Sequence, residues 1–304
     1  MSPATDESSQ QDLELEIAAL ESRLAAAKQQ LAQSKSGVRS KDDNPPHPPI
    51  PPTITTSAAH HYLLLLSDSA LPLGSFAFSS GLESYLAHGR QRTPNQPAPS
   101  FPFFLPLSLS SYARASLPFL LAAHRDPSPA TLALLDDAVD ATLICAVARR
   151  ASVAQGRALL SIWEKSLAPS LSCASLSGAL APYALLLRTP HSADDGEAEP
   201  PPVSAHLPPL FGAVASLLGL SARQCAYVFL LSHAKALVSA AVRAGCFGPY
   251  QAQRVLAGEG LRDAVGEAVE REWRTRVEDA GQRVPVMDLW VGRHELLYSR
   301  IFNS

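Results

Sequence analysis

The sequence predicts an all-α protein: one helical-bundle domain of roughly ten helices over residues 58–304, preceded by an extension over residues 1–57. Three observations carry this. Alanine and leucine dominate while β-branched residues are sparse, which favours helix over strand. Apolar residues recur at helical spacing through segment after segment, and no period-two alternation competes. With 46% apolar and 17% charged residues among 304, the chain can bury a sizeable core.

The extension differs from the rest. Leu13, Ile17, Leu20, Leu24 and Leu31, with Ala27 between, follow the seam of a short coiled coil, but so short a seam equally describes a fraying helix. Asn44–Pro52, NPPHPPIPP, holds six prolines in nine residues and reads as an extended linker or a proline-recognition ligand. The extension is therefore expected to be disordered or helical only over a short stretch.

Helices are expected at His60–Ser67 and Gly81–His88, then a proline-rich loop at Gln91–Pro102. Phe103–Ala123 is apolar, but Pro106 and Pro118 should end or kink helices there. Ala130–Val147, Arg150–Leu167 and Leu171–Leu187 follow as long helical segments. Thr189–Ala205, acidic and proline-containing, reads as a solvated insertion. Leu207–Leu218, Ser221–Ala244, Tyr250–Ala257 and the charged Leu261–Asp279 resume the helices, and Val284–Ser304 is a tail of mixed character.

Several function classes are excluded or weakened. A net charge of −3 argues against nucleic acid as a general partner, which would leave a basic footprint. The polar, acidic N-terminus does not read as a signal peptide, and no apolar run is expected to approach the roughly 20 residues that span a bilayer. The expectation is a reduced cytoplasmic protein. Cys145, Cys173, Cys225 and Cys246 form no C-x-x-C pair. Gly74 and Gly81 lack the lysine of a phosphate loop, and Ser79 lacks the glycine of a nucleophile elbow. His60 and His61 are adjacent and point about 100° apart on a helix, a poor chelating pair. His294–Glu295 has no second histidine four residues on, and His233 reads as a hydrogen-bonded core histidine. His233 and His294 are the weak metal candidates. Asp136, Asp137 and Asp140 read as a solvated face before paired catalytic carboxylates.

The stretch Leu71–Ser84, LPLGSFAFSSGLES, has a local structural reading. Pro72 and Gly74 enforce a turn. Phe76 and Phe78, two apart, anchor an extended segment on one side. Ser80–Glu83 fits the S-x-x-E capping box, with Ser80 accepting from the Glu83 N–H and Glu83 reaching back.

LLLLSDSALPLGSFAFSSGLES also resembles the N-terminal signature of the UreF-type urease accessory proteins. RASVAQGRALL, Arg150–Leu160, is similar to that family's Ser-x-x-Gln-Gly-Arg segment. His206–Val255 resembles its paired helices with a closing Gly-x-x-x-x-Gln, here Gly248 and Gln253. PVMDLWVGRHELLYSRIFNS, Pro285–Ser304, resembles the family's ending. The four blocks come in the family's order, while residues 1–57, Gln91–Pro102 and Thr189–Ala205 lie outside the match.

The resemblance implies an all-α, non-catalytic chaperone for nickel insertion and urease maturation. It implies a homodimer that binds a UreD/UreH-type scaffold and recruits and regulates a UreG-type GTPase, the complex serving apo-urease. No cofactor would be held stably; nickel would be handled by the complex. The tail carries large apolar residues beside charges, a surface that needs covering. Arg293, His294, Glu295, Tyr298, Arg300 and Phe302 are therefore expected to contact the scaffold, the alternative being that the tail docks onto this chain's own core. Gly74, Phe76, Gly81, Glu83, Gln155, Gly156, Arg157, Gly248 and Gln253 are expected to shape the core or dimer surface. The rival expectation is an α-helical hydrolase using Ser79 or Ser80, which would need a histidine and a carboxylate nearby.

Overall fold

A computed structural model describes residues 17, 20–30, 57–89, 98–189, 191–192, 198–199 and 201–303. The chain divides into two units, residues 1–55 and 56–304. In the first, residues 20–30 are helical and exposed, and Ile17, Leu20 and Leu24 face solvent. Leu13, Leu31 and the proline-rich stretch lie outside the described residues.

In the second unit the helices are α1 (Ala58–Ser67), α2 (Leu82–Gly89), α3 (Phe101–Arg125), α4 (Pro129–Thr142), α5 (Ala146–Ile162), α6 (Ala174–Ser177), α7 (Ala181–Arg188), α8 (Leu207–Leu217), α9 (Ala222–Arg243), α10 (Pro249–Ala257), α11 (Glu259–Glu272) and α12 (Pro285–Gly292). Between α7 and α8 a two-residue antiparallel ladder pairs His191 with Glu199 and Ser192 with Ala198. The predicted helical fold is what forms; the differences lie at particular breaks.

Helix α3 is the largest difference. It runs unbroken for 25 residues through Pro106 and Pro118. Each interior proline removes a hydrogen bond at a cost of about 3 kcal/mol. Against that, Phe104, Leu109, Leu117, Phe119, Leu120 and Leu121 are buried, each contributing about 1.5–3 kcal/mol. Tertiary burial outweighs the local penalty. Helix α8 lies against α3, α5 and α9, and its residues Leu207–Ala215 are buried throughout. Gly212 lets α8 and α3 touch: a Cβ there would stand 2.1 Å from the Leu120 carbonyl oxygen.

Other boundaries shift for identifiable reasons. The predicted helix Ala130–Val147 stops at Thr142, where Arg149 Nη2 donates to the Asp140 carbonyl at 2.8 Å and so satisfies an orphan acceptor of the last turn. Leu171–Leu187 splits around Gly178 into α6 and α7. Leu261–Asp279 ends at Glu272, followed by a 3₁₀ turn at Val277–Asp279. Glu272 is buried and meets Arg114 Nη1 at 3.1 Å, Thr275 Oγ1 at 2.8 Å and Arg283 Nη1 at 3.5 Å, tying α11 to α3. Helix α9 is long and apolar enough to cross a membrane by length and composition, contrary to the sequence reading. However, 56% of that stretch is buried inside the protein, among α1, α3, α8, α10 and α11. It begins with a capping box in which Ser221 Oγ accepts from the Gln224 N–H at 3.3 Å and Gln224 Oε1 accepts from the Ser221 N–H at 3.0 Å.

Candidate functional site

The glycine-rich stretch folds as two left-handed turns around a short 3₁₀ turn, Ser75–Ala77. Gly74 has φ +74° with open space where a Cβ would be, so its backbone angle is the requirement. Gly81, φ +86°, adds a close approach: a Cβ would stand 2.9 Å from the Val291 backbone nitrogen in α12. The expected extended segment is absent. Phe76 is 66% exposed, while Phe78 borders a partly open cavity.

The expected capping box is also absent. Ser80 itself sits at φ +49°, and the Glu83 N–H donates to Ser79 Oγ at 3.4 Å. Glu83 does not reach back, because its carboxylate is occupied by the C-terminal segment. Oε1 accepts from the Ile301 N–H at 2.7 Å, and Oε2 from the Phe302 N–H at 3.2 Å and from His294 Nε2 at 2.9 Å. The Asn303 N–H donates to the Ala77 carbonyl at 2.8 Å. Arg243 of α9 donates to the Phe76 carbonyl and lies over the Phe302 ring, 4.3 Å from its centroid. Trp290 of α12 meets Tyr85 of α2 edge to face at 5.5 Å. Glu83, Arg243 and the Phe76–Ala77 carbonyls thus form a clasp around residues 301–303. Hydrogen bonds to a charged carboxylate contribute about 1.5–3 kcal/mol each, more than neutral ones.

Two tail residues take the alternative place, on this chain's own core. His294 and Phe302 are buried against this chain's own body, not offered to a partner. The apolar segment covers itself in part, as its hydrophobicity demands. His294 Nδ1 has no hydrogen-bond partner among the described residues. What stays outside is the loop between the clasped ends, where Leu296 is 73% exposed and Tyr298 fully, together with the side chain of Ile301, 60% exposed although its N–H is clasped. Arg293, Glu295 and Arg300 flank them in the open. Glu295 pairs with Arg150 of α5, and Arg300 Nη2 donates to the Glu295 carbonyl at 2.7 Å. Arg150 lowers the Glu295 carboxyl below its ordinary range.

The second motif straddles the edge of the core, with Gln155 half-buried and Arg157 exposed. Gly156 is buried, not on a free surface, and its missing Cβ would stand 2.0 Å from the Ala205 carbonyl oxygen and 2.8 Å from the Leu207 nitrogen. Arg157 Nε donates to the Ser204 carbonyl at 3.1 Å, and Gln155 Nε2 to the Ala151 carbonyl at 3.2 Å. Asp136, expected on a solvated face, is buried and accepts from the backbone N–H groups of Ser204, Ala205 and His206 at 2.5, 3.2 and 2.6 Å. It holds Ala205 at φ +68°, a conformation costing an L-residue about 1–2 kcal/mol. The end of the expected loop is thus part of the core. His206 is fully buried and joins Ser152 Oγ and Asp140 Oδ1, each at 3.0 Å. Sequence reasoning missed Asp136 and His206 as a pair. Neither carries a local signal for a partner some 70 positions away.

A cavity of 160 Å³ lies between these motifs, bordered by Ser108, Tyr112, Ser152, Gln155 and His233. His233 Nε2 meets Ser108 Oγ at 3.0 Å, and its ring stacks on Tyr112 at 4.0 Å. Burial lowers its pKa to about 3, so the ring is neutral. The ring is hydrogen-bonded as the sequence suggests, but it is half-buried at the cavity wall and not part of the core. Among the described residues, no group of three or more His, Cys, Asp and Glu side chains converges as a metal site. His60 and His61 are exposed on α1. Ser79, the rival nucleophile, is fully buried at the start of α2, and Ser80 borders the cavity. Gly248 precedes α10 and Gln253 lies exposed on it, away from both motifs in sequence.

Comparison with known proteins places the arrangement. The UreF family model matches residues 99–258, just over half of the chain and the span from before α3 to the end of α10. The chain belongs to the UreF family of urease accessory proteins. A Schizosaccharomyces pombe protein described as UreF-like is 38% identical over 239 residues, covering 79% of this chain and 94% of its own length. Urease accessory protein F of Oryza sativa subsp. indica is 30% identical, covering 78% of this chain and 82% of its own. Urease accessory protein UreF of Paenarthrobacter aurescens is also 30% identical, covering 79% and 95%.

Proposed function

We propose that this UreF-family chain is a non-catalytic chaperone in urease maturation, acting in the cytoplasm as a homodimer. It bridges a UreD/UreH-type scaffold and a UreG-type GTPase, regulates that GTPase, and supports nickel delivery to apo-urease by the complex without holding nickel itself. The observation that carries this reading is the loop of the C-terminal segment. Leu296, Tyr298 and Ile301 stand in solvent, flanked by Arg293, Glu295 and Arg300, although the segment on both sides is anchored. Apolar and aromatic side chains held outward among arginines are the usual composition of an interface anchor. The scaffold contact is assigned to those exposed residues; His294 and Phe302 support them from within.

The test is co-purification of the full chain with scaffold and GTPase, with and without GTP and nickel. Deleting Val284–Ser304, which removes α12 with the tail, is expected to abolish scaffold capture while the other helices are kept. Capture that survives the deletion unchanged overturns the tail assignment. Failure of the intact chain to bind either protein overturns the wider reading.

A further inference from the structure

We infer that Glu83 is a positioning residue for the scaffold contact: it captures the C-terminal segment and so sets the outward loop 295–300. This rests on the scaffold-binding reading above.

Three facts about the site converge. Glu83 is almost wholly buried, and both its oxygens receive donors from one remote segment: the backbone N–H groups of Ile301 and Phe302 and the ring of His294. A buried carboxylate needs such donors, and here they are 211 to 219 residues away along the chain. Elsewhere the segment is tied to the body by the ion pair of Glu295 with Arg150, at the solvent-exposed side. The Asn303 N–H on the Ala77 carbonyl and the Arg243 guanidinium over Phe302 complete the hold.

The geometry of the capture decides what is displayed. His294 and the pair Ile301–Phe302 meet the same carboxylate, so both ends of the intervening loop are pinned at one point. Residues 295–300 must then arch outward. Within that arch Arg300 donates to the Glu295 and Leu297 carbonyls at 2.7 and 3.3 Å, which stiffens it. Tyr298 at its crest is fully exposed. A preorganised loop avoids the ordering cost that a loose segment bears on binding. Release of Glu83 therefore weakens scaffold binding without removing any residue that touches the scaffold.

The test uses the full chain. Glu83→Gln keeps the size of the side chain and removes its charge. Hydrogen exchange is followed at the Ile301, Phe302 and Asn303 amides, with no partner present, alongside amides of α3, α8 and α9. Exchange at 301–303 is expected to rise about tenfold or more while the helix amides and Tm stay near wild type. Scaffold affinity is expected to fall about tenfold, mainly through slower association, with GTPase recruitment to preformed complex unchanged. Should Glu83→Gln lower the stability of the whole molecule, Glu83→Asp gives a second reading. It keeps the charge but draws the oxygens back by one methylene, and intermediate exchange at the same amides is expected. Unchanged exchange at 301–303 in both variants overturns the capture. Scaffold binding lost on deleting Val284–Ser304 but kept in Glu83→Gln overturns the positioning role alone. Scaffold binding kept in the deletion overturns the underlying reading, and with it the positioning role, while the exchange result still judges the capture.

Discussion

Replacing Gly156 by alanine tests the packing of the central motif. The new Cβ would stand 2.0 Å from the Ala205 carbonyl oxygen, 2.7 Å from the His206 carbonyl carbon and 2.8 Å from the Leu207 nitrogen. Carbon and carbonyl oxygen rest at about 3.3 Å or more. The start of α8 must therefore retreat from α5 by roughly 1.3 Å, the difference between those distances. All three obstructing atoms are backbone, so no side chain can swing aside. Overpacking of this kind costs about 1–3 kcal/mol. The retreat also pulls the Ser204–His206 amides from Asp136, where each charge-assisted bond contributes about 1.5–3 kcal/mol. Helix propensity returns about 1 kcal/mol for Gly→Ala. The net expectation for Gly156→Ala is a loss of about 2–4 kcal/mol. It is read from urea unfolding followed by far-ultraviolet circular dichroism, with the slope unchanged. Gly266→Ala in α11 is the control, since nothing lies within 4 Å of its added Cβ. It should be neutral or stabilising by up to about 1 kcal/mol. A Gly156→Ala chain as stable as wild type, or more stable, would refute the close approach of α5 and α8.

Glu272→Ala should cost about 2–4 kcal/mol in thermal or urea unfolding, because it strands Arg114 beside α11; partial exposure of that arginine keeps the loss below the extreme for a fully buried pair. His233 should make stability fall on acidification. Its folded pKa, about 3, lies below its ordinary 6.5, so the unfolded chain binds the extra proton between those values. The contribution is complete above about pH 6.5 and is lost as pH drops towards about 3, at up to about 1.4 kcal/mol per pH unit. His233→Phe should flatten that part of the pH profile, and an unchanged profile would show that His233 does not set it.

Much of the fold is written in local periodicity, which is why α1, α2, α8, α9 and α10 stand close to where the sequence puts them. The failures share a cause: the deciding partner is distant. Proline at 106 and 118 announces a break locally, but the burial that keeps α3 continuous comes from α8, α9 and α11. The capping-box pattern occurs at Ser80–Glu83 and, as S-x-x-Q, at Ser221–Gln224. Only the second forms, because Glu83 has better donors elsewhere. Family resemblance points to Gly156, whereas its physical reason is a carbonyl at Ala205 that no local pattern reveals. In the candidate site, the exposed Tyr298 and Arg300 were legible as a mixed apolar and charged tail. The inward turn of His294 and Phe302 was not, since it depends on a carboxylate more than 200 residues earlier.

That separation has a kinetic meaning. Bringing residues 83 and 302 together closes a loop of 219 positions, and its entropy must be met before the bonds form. The helices between them can pack on contacts much nearer in sequence. Joining the C-terminal segment is then a late event in folding, and its substitutions should act mostly on the unfolding rate. The same ordering runs backwards at equilibrium. The segment should therefore be able to leave and return while the core it closes stays folded, opening at a free energy below that of the core.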